Sequence, residues 1–122
     1  MHRHILKLND KAFGMVVEGK KIYEMRLYDE RMHNIFIGDV IVFLKQDTNK
    51  HCEVKVLDLL FYENFAQLYR RLPLERCGYD QETINLATAL DMDRVYSKED
   101  QKKYAACAIK FELLADGKSS RK

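Results

Sequence analysis

Hydrophobic and polar positions alternate with a period of two along several stretches of this chain, which predicts β-strands. From Val40 to Leu44 the run is almost wholly apolar, so this strand is expected to be covered on both faces. In the next strand, His51 to Leu60, the alternation shifts near Leu57-Asp58 and predicts a β-bulge. Further strands are predicted near the start of the chain around Ile5, over about Ile22 to Tyr28, and over Ala105 to Leu113.

Apolar residues three and four positions apart predict short helices between these strands. Asn9 or Asp10 is the expected N-cap of the first helix, and Gly19 is expected to end it because glycine adopts positive φ without a steric cost. A second helix spans roughly 63–72 and is stopped by Pro73. Later helices are predicted over 81–89, over 91–94, and after a capping box that begins at Ser97.

The order of these elements, β-α-β-β-β-α-α-α-β, does not suit a doubly wound sheet, because the strands cluster and are linked by hairpins. It favours an α+β fold, a small mixed β-barrel of about five to six strands with helices packed on its side. The length of 122 residues fits one domain, predicted over 1–114. The polar segment 115–122 lacks an apolar anchor and is expected to form a disordered basic tail.

Composition narrows the function classes only partly. The net charge of +2 is too small to mark a histone-like binder, so any nucleic-acid role depends on the local placement of charge. No apolar run approaches the ~18 residues of a membrane span, so we expect no membrane association. An odd number of widely spaced cysteines, Cys52, Cys77 and Cys107, indicates free thiols and a cytoplasmic protein. His2 and His4 have no carboxylate beside them, so neither a metal nor a cofactor is expected.

The residues that can carry chemistry are concentrated in Gly19-x-Lys21-x-x-Glu24-x-Arg26. The glycine lets the chain leave a helix sharply, and Glu24 and Arg26 point to one side of the following strand. Arg26 can grip a phosphate or a base edge, Lys21 can neutralise a phosphate, and Glu24 can orient either cation. The alternative is structural: a Glu24–Arg26 ion pair on a solvated strand face, with Lys21 at the surface.

This segment, together with the later Ile37-Gly38-Asp39-x-Ile41-x-Phe43, resembles the ASCH domain family. The GxKxxExR pattern is the signature of that family, and the resemblance covers about Ile5 to Leu113. It implies a PUA-like barrel with a cleft between barrel and helices, lined by Lys21, Glu24 and Arg26. It also implies a role near RNA, so the expected partner is RNA, a nucleotide or a nucleoside. The sequence leaves the oligomeric state open.

The resemblance also implies an alternative, a hydrolase that acts on an acylated nucleoside such as acetylcytidine, or on RNA. Lys21 matches the lysine of an amidohydrolase branch of the superfamily, but Glu24 stands where that branch has a nucleophilic threonine. A carboxylate is a poor substitute for an activated hydroxyl in acyl transfer. In this hypothesis Glu24 activates a water molecule while Lys21 stabilises the developing oxyanion.

Other candidate residues surround this segment. Tyr28 shares a strand face with Glu24 and Arg26 and can stack on a base. Tyr96 and Tyr104 flank the capping-box turn and are expected to help close the ligand cleft. Gly38 and Asp39 are expected to have a structural role, with Asp39 stabilising the turn by a hydrogen bond.

Overall fold

The computed structural model describes residues 2–114, so the predicted tail, 115–122, lies outside the described part of the chain. The strands are β1 (Arg3–Leu8), β2 (Tyr23–Leu27), β3 (Val40–Lys45), β4 (His51–Tyr62) and β5 (Ala106–Leu113). The α-helices are α1 (Asp10–Val17), α2 (Phe65–Arg71) and α3 (Lys98–Lys103), and short 3₁₀ helices span Met32–Asn34, Leu74–Arg76, Ile84–Leu86 and Ala89–Arg94. Within residues 2–114, no helix is long and apolar enough to cross a bilayer.

The strands form one sheet in the order β1-β3-β4-β5-β2. β1 pairs with β3 in parallel, and the remaining neighbours are antiparallel. The sheet curls into a half-barrel with helices packed alongside, which confirms the predicted α+β fold and small mixed barrel. β1 and β2 lie at its two ends, so the contact between them decides how the curl closes.

Helix α1 covers one face of the curled sheet with Phe13 and Val16. Asn9 caps this helix by accepting the Ala12 N–H at 2.8 Å, as its position in the sequence predicts. The two apolar side chains belong to a first core cluster whose other buried members are Leu8, Met32, Ile35, Ile41, Phe43, Cys52, Val54, Val56, Cys107, Ile109 and Phe111. Burying a side chain such as Phe43 contributes about 1.5–3 kcal/mol, so this cluster fixes the position of α1.

Helix α2 covers the opposite face of the sheet with Phe65 and Leu68. Asn64 caps it, and Ala106 and Ala108 of β5 are fully buried beneath it. A second core cluster comprises these residues with Leu27 and Met92. The sheet therefore separates two hydrophobic layers; β5 carries apolar side chains into both, whereas those of β2 enter only the second.

Two details of the strand predictions have different outcomes. The β4–β5 register shifts between Val56 and Asp58, which confirms the predicted bulge. β3 buries Ile41 and Phe43 fully on one face, but on the other face only Val40 is buried while Val42 and Leu44 stay half-buried, so that face is only partly covered.

The predicted helix over 81–89 is wrong. This segment contains turns, the 3₁₀ helix Ile84–Leu86 and the first residue of the next 3₁₀ helix, Ala89–Arg94. The Asp80 carboxylate accepts the N–H groups of Glu82 and Thr83, at 3.0 and 2.9 Å. Such side-chain bonds offer the backbone a local turn in place of a continuous helix.

Candidate ligand-binding site

Lys21, Glu24 and Arg26, the charged triad, come together where α1 passes into β2. Gly19 has a φ of +79°, and this conformation reverses the chain after the helix. The N–H groups of Lys20 and Lys21 then both donate to the Met15 carbonyl, at 2.8 and 3.0 Å. The backbone of the loop that carries Lys21 is therefore tied to the end of α1.

Lys21 is a buried lysine, with only 5% of its side chain exposed. Its Nζ donates to the carbonyls of Tyr23 and Cys77, at 2.7 and 2.8 Å, and lies 3.0 Å from Glu24 Oε1. An ammonium group has three hydrogens, so these contacts use all of them. The structural alternative that placed Lys21 at the surface is wrong.

Glu24 lies between the two cations. Its second oxygen, Oε2, accepts the Arg26 Nε at 2.6 Å. Burial tends to raise the pKa of Glu24, but the charges of Lys21 and Arg26 outweigh it and the pKa is lowered. The carboxylate is thus kept ionised by two partners, one on each oxygen.

Arg26 is the member of the triad nearest to solvent, with 18% of its side chain exposed. Burial tends to lower its pKa, and the neighbouring Glu24 carboxylate raises it overall. Because Glu24 binds Nε, only the two amino groups of the guanidinium remain for other contacts. One of them, Nη2, lies 3.4 Å from the Lys7 carbonyl at the end of β1.

A groove of about 300 Å³ lies between the start of α1 and the segment that follows α2; none of the triad residues lines it, although the resemblance implied a cleft lined by all three. Gly78 forms part of it, and a Cβ on Gly78 would lie 3.5 Å from Lys21 Nζ. Its other lining residues are Asn9, Lys11, Ala12, Tyr79, Thr83, Asp91 and Arg94. The sequence indicated Asn9 only as a helix cap and did not predict this groove, because the proximity of its residues depends on the packing of the irregular segment 74–94 against α1.

The groove wall is stiffened by hydrogen bonds among side chains. The Tyr79 hydroxyl donates to Asp91 Oδ2 at 2.7 Å and lies 2.7 Å from the Tyr69 hydroxyl. Burial and these hydrogen bonds raise the pKa of Tyr79, so it stays a neutral phenol. Asp91 also accepts the Thr88 N–H at 3.3 Å, within a capping box.

The three candidate tyrosines are not gathered at one point. Tyr28 follows β2 on the Arg26 face and contacts the rings of His33 and Phe61, with centroids 4.0 and 4.7 Å away. Tyr96 stacks on Phe65 at 5.9 Å; burial raises its pKa, and the positive charge of Arg26 opposes that shift. The Tyr104 hydroxyl donates to the Glu30 carboxylate at 3.1 Å, so its observed polar partner lies outside the triad.

Gly38 and Asp39 lie at the turn before β3. Gly38 has a φ of +96°, and the buried Asp39 carboxylate accepts the backbone N–H groups of His2 and Phe36. The same carboxylate accepts His4 Nε2 at 2.8 Å. Asp39 therefore ties the start of β1 to the start of β3.

The hydrolase hypothesis needs Lys21 and Glu24 to be free for a substrate. In this structure both are engaged by protein groups, and a general base at Glu24 would have to give up one cation. Among residues 2–114, no three His, Cys, Asp or Glu side chains are grouped so that they could hold a metal ion. The three cysteines are free and buried.

The fold and the site together define a class of protein: a small α+β half-barrel with a buried charged triad where the curled sheet closes. The family model for the ASCH domain matches residues 6–115, so this chain belongs to the ASCH domain family, as the signature predicts. No curated protein matches the chain.

Solved structures agree with this assignment. The crystal structure of a hypothetical protein, PH0355, is 28% identical, with a TM-score of 0.73, over 93% of this chain and 100% of its own. The solution structure of PF0455 from Pyrococcus furiosus is 27% identical, with a TM-score of 0.69, over 94% and 99%. An ASCH domain from Lactobacillus crispatus shares the fold at 10% identity, with a TM-score of 0.62, over 91% and 79%.

Proposed function

We propose that this domain binds RNA or a nucleotide-like ligand at the charged triad, with Arg26 as the residue that contacts the ligand and the neighbouring groove as the surface along which the ligand continues. RNA binding is the role thought to belong to the ASCH family. The observation that carries the proposal is the arrangement of Arg26, whose Nε is bound by Glu24 while 18% of its side chain stays exposed and Nη2 lies 3.4 Å from the Lys7 carbonyl. A guanidinium oriented in this way is suited to a phosphate or to a guanine edge.

In this proposal Lys21 and Glu24 position Arg26 rather than touch the ligand. Lys21 compensates one oxygen of Glu24, and Glu24 uses the other to orient the guanidinium. Lys11 and Arg94 line the groove; Lys11 is paired with Asp80 at 3.0 Å, so Arg94 is the groove cation that supplies positive charge for a phosphate backbone. Because the net charge is only +2, binding relies on these few cations, which favours a small ligand or a short single strand.

The free, buried thiols support the expected cytoplasmic location, where RNA is abundant. No observation specifically favours the hydrolase, so the experiment below is designed for binding and also detects hydrolysis if it occurs.

The test is titration calorimetry with a mixed-sequence single-stranded hexanucleotide and with nucleoside monophosphates, on the full chain. Arg26→Gln removes the planar guanidinium and its charge, and is expected to weaken binding at least tenfold, about 1.4 kcal/mol or more. Arg26→Lys keeps the charge and is expected to recover only part of the affinity. Arg70→Gln removes the same charge from an exposed position on α2 and serves as the matched control.

Equal binding by wild type and Arg26→Gln, with both proteins folded in thermal melts, would contradict the proposal. Mass spectrometry of the incubated nucleotides and of acetylcytidine reports whether any of them is chemically changed. Turnover that is lost in Lys21→Ala or Glu24→Ala, in variants shown to be folded, would instead support the hydrolase.

A further inference from the structure

We propose that Tyr28, His33 and Phe61, the aromatic cluster, form a stacking platform for a nucleobase of single-stranded RNA, next to the nucleotide that Arg26 contacts. The inference rests on the proposed function and makes its ligand specific: a single strand that spans at least two nucleotides. His33 and Phe61 were not candidates from the sequence, and the register of the sheet places them beside the charged triad.

The sheet register puts Arg26 and Phe61 in one row on one face. Arg26 of β2 lies opposite Cys107 of β5, and Cys107 lies opposite Phe61 of β4. Directly paired residues point to the same face, and strands are about 4.8 Å apart, so the Arg26 and Phe61 backbones are separated by about 10 Å. Only the small, buried side chain of Cys107 stands between them.

Arg26 lies between the end of β1, which leads into the groove, and the aromatic cluster. Nη2 approaches the Lys7 carbonyl, two residues before Asn9 of the groove. Phe61 lies in the opposite direction, across β5. A single strand whose phosphate or base is bound at Arg26 can therefore extend from the groove onto the aromatic rings.

Two of the rings, His33 and Phe61, are exposed, and the half-buried Tyr28 between them holds them in place. Phe61 is 52% exposed, which is unusual for a phenylalanine in a sheet row that otherwise faces a core. Phe61 meets Tyr28 edge to face at 77°, and His33 covers Tyr28 at an interplanar angle of 35°. His33 is oriented because its Nδ1 lies 2.7 Å from the Asp29 carbonyl. A carbonyl only accepts, so Nδ1 is the donor and the outer edge of the ring stays available.

The segment that carries His33 is anchored from below. It belongs to the 3₁₀ helix Met32–Asn34, whose Met32 is buried, as is the following Ile35. The exposed aromatic face is therefore already formed without a ligand, which lowers the entropic cost of stacking a base on it.

The charges beside the cluster suit a phosphate that carries a flat ring. The triad has two cations, Lys21 and Arg26, around the one carboxylate of Glu24, so it keeps a net positive charge. The carboxylates of the next segment have cations near them: Asp29 lies 3.5 Å from the Arg31 guanidinium, and Glu30 is attracted to Lys103. Base–aromatic stacking combined with cations is the usual way in which single strands are bound. Bases inside a duplex are not available for it.

The experiment compares three probes by titration calorimetry: adenosine monophosphate, single-stranded hexa-adenylate and an RNA duplex of two longer complementary strands. Phe61→Ala is expected to weaken hexa-adenylate binding about tenfold and to leave monophosphate binding within about twofold. Phe61→Leu keeps an apolar side chain without a π-face and is expected to weaken hexa-adenylate binding by a similar factor. Phe61→Trp keeps the π-face and is expected to retain hexa-adenylate binding. Leu86→Ala, at another exposed apolar position, is the control.

The outcomes separate this inference from the proposed function. If Arg26→Gln abolishes binding but Phe61→Ala binds hexa-adenylate like wild type, the stacking platform is contradicted, whereas the proposed ligand contact of Arg26 is supported. Tighter binding of the duplex than of hexa-adenylate would also contradict the stacking platform. So would unchanged hexa-adenylate binding by Phe61→Leu, because an apolar contact without a π-face would then be sufficient. If wild type binds none of the three probes, the proposed function and this inference fail together.

Discussion

The Glu24 carboxylate accepts the Arg26 Nε at 2.6 Å from two residues away on the same strand face. This pair would be ordinary at a surface, but here Glu24 is only 9% exposed and its other oxygen faces Lys21. A carboxylate between a buried lysine and a partly exposed arginine stabilises the structure and also orients Arg26. The triad therefore couples the stability of the domain to the geometry of its proposed ligand contact.

Replacing Glu24 with glutamine should be strongly destabilising. The substitution keeps the shape but leaves Lys21 as a buried cation that faces only neutral groups, and we expect a loss of about 3–5 kcal/mol in the free energy of unfolding. Lys21→Met in the Glu24→Gln background removes that buried charge, so the double variant should be more stable than Glu24→Gln alone. Urea denaturation of the single and double variants measures this. Simple additivity of the two losses would contradict the coupling.

Gly78→Ala should destabilise the domain and narrow the groove. Gly78 has a φ of +119°, which side-chain-bearing residues rarely adopt, and its Cβ would meet Lys21 Nζ at 3.5 Å. We expect a cost of about 1–3 kcal/mol in thermal or chemical unfolding. Gly14→Ala is the matched control, because Gly14 lies inside α1 with open space at its Cβ. Gly14→Ala should raise the free energy of unfolding by about 0.5–1 kcal/mol, because alanine favours the helix more than glycine does. A lower free energy of unfolding would contradict the placement of Gly14 inside α1 with open space at its Cβ.

Acid should weaken the domain partly through Asp39. Burial tends to raise the Asp39 pKa, but hydrogen bonds from His4, His2 and Phe36 lower it to about 2. An unfolded aspartate has a pKa of about 3.9, so the unfolded chain takes up the proton first as the pH falls. The contribution of Asp39 is therefore fully present above pH ~4 and is lost as the pH falls through about 2.

Asp39→Asn should flatten the pH dependence of the unfolding free energy in that window. Urea denaturation at several pH values between neutrality and pH ~2 measures the slope for both proteins. Glu24 also has a lowered pKa, so some slope remains in the variant. An unchanged slope would show that Asp39 does not contribute as proposed.

The cysteines should resist thiol reagents in the native protein. Burial raises the pKa of Cys52 and Cys77 to about 11 and that of Cys107 to about 12, so the reactive thiolate is scarce at neutral pH. We expect labelling with Ellman's reagent to be slow in native buffer and to reach all three thiols in denaturant. Rapid labelling of even one thiol in the folded protein would contradict this burial.

Much of the site was accessible from the sequence because its parts are local. The alternation along β2 puts Glu24, Arg26 and Tyr28 on one face without any knowledge of the partner strand. Gly19 marks the end of α1 by its own conformational preference. The GxKxxExR pattern then indicated the family, and the fold followed from it.

The remainder depends on tertiary pairing. Phe61 reaches the row of Arg26 only because β5 lies between β4 and β2 and because the bulge after Val56 sets the β4 register. The burial of Lys21 depends on the Cys77 carbonyl, 56 residues away in the chain. The predicted helix over 81–89 failed because the Asp80 side chain competes for backbone N–H groups, which helix periodicity does not reveal.

The pairing of β2 with β5 has a consequence for how the domain comes into being. Tyr23 of β2 lies opposite Lys110 of β5, so the strand that carries Glu24 and Arg26 finds its backbone partner almost at the end of the described chain. Contacts this distant in sequence form slowly, because a long loop must close before they stabilise anything. During synthesis on the ribosome, β1, α1, β3 and β4 can begin to pack before β5 has emerged. The proposed RNA-binding site is then among the last parts of the nascent protein to be completed.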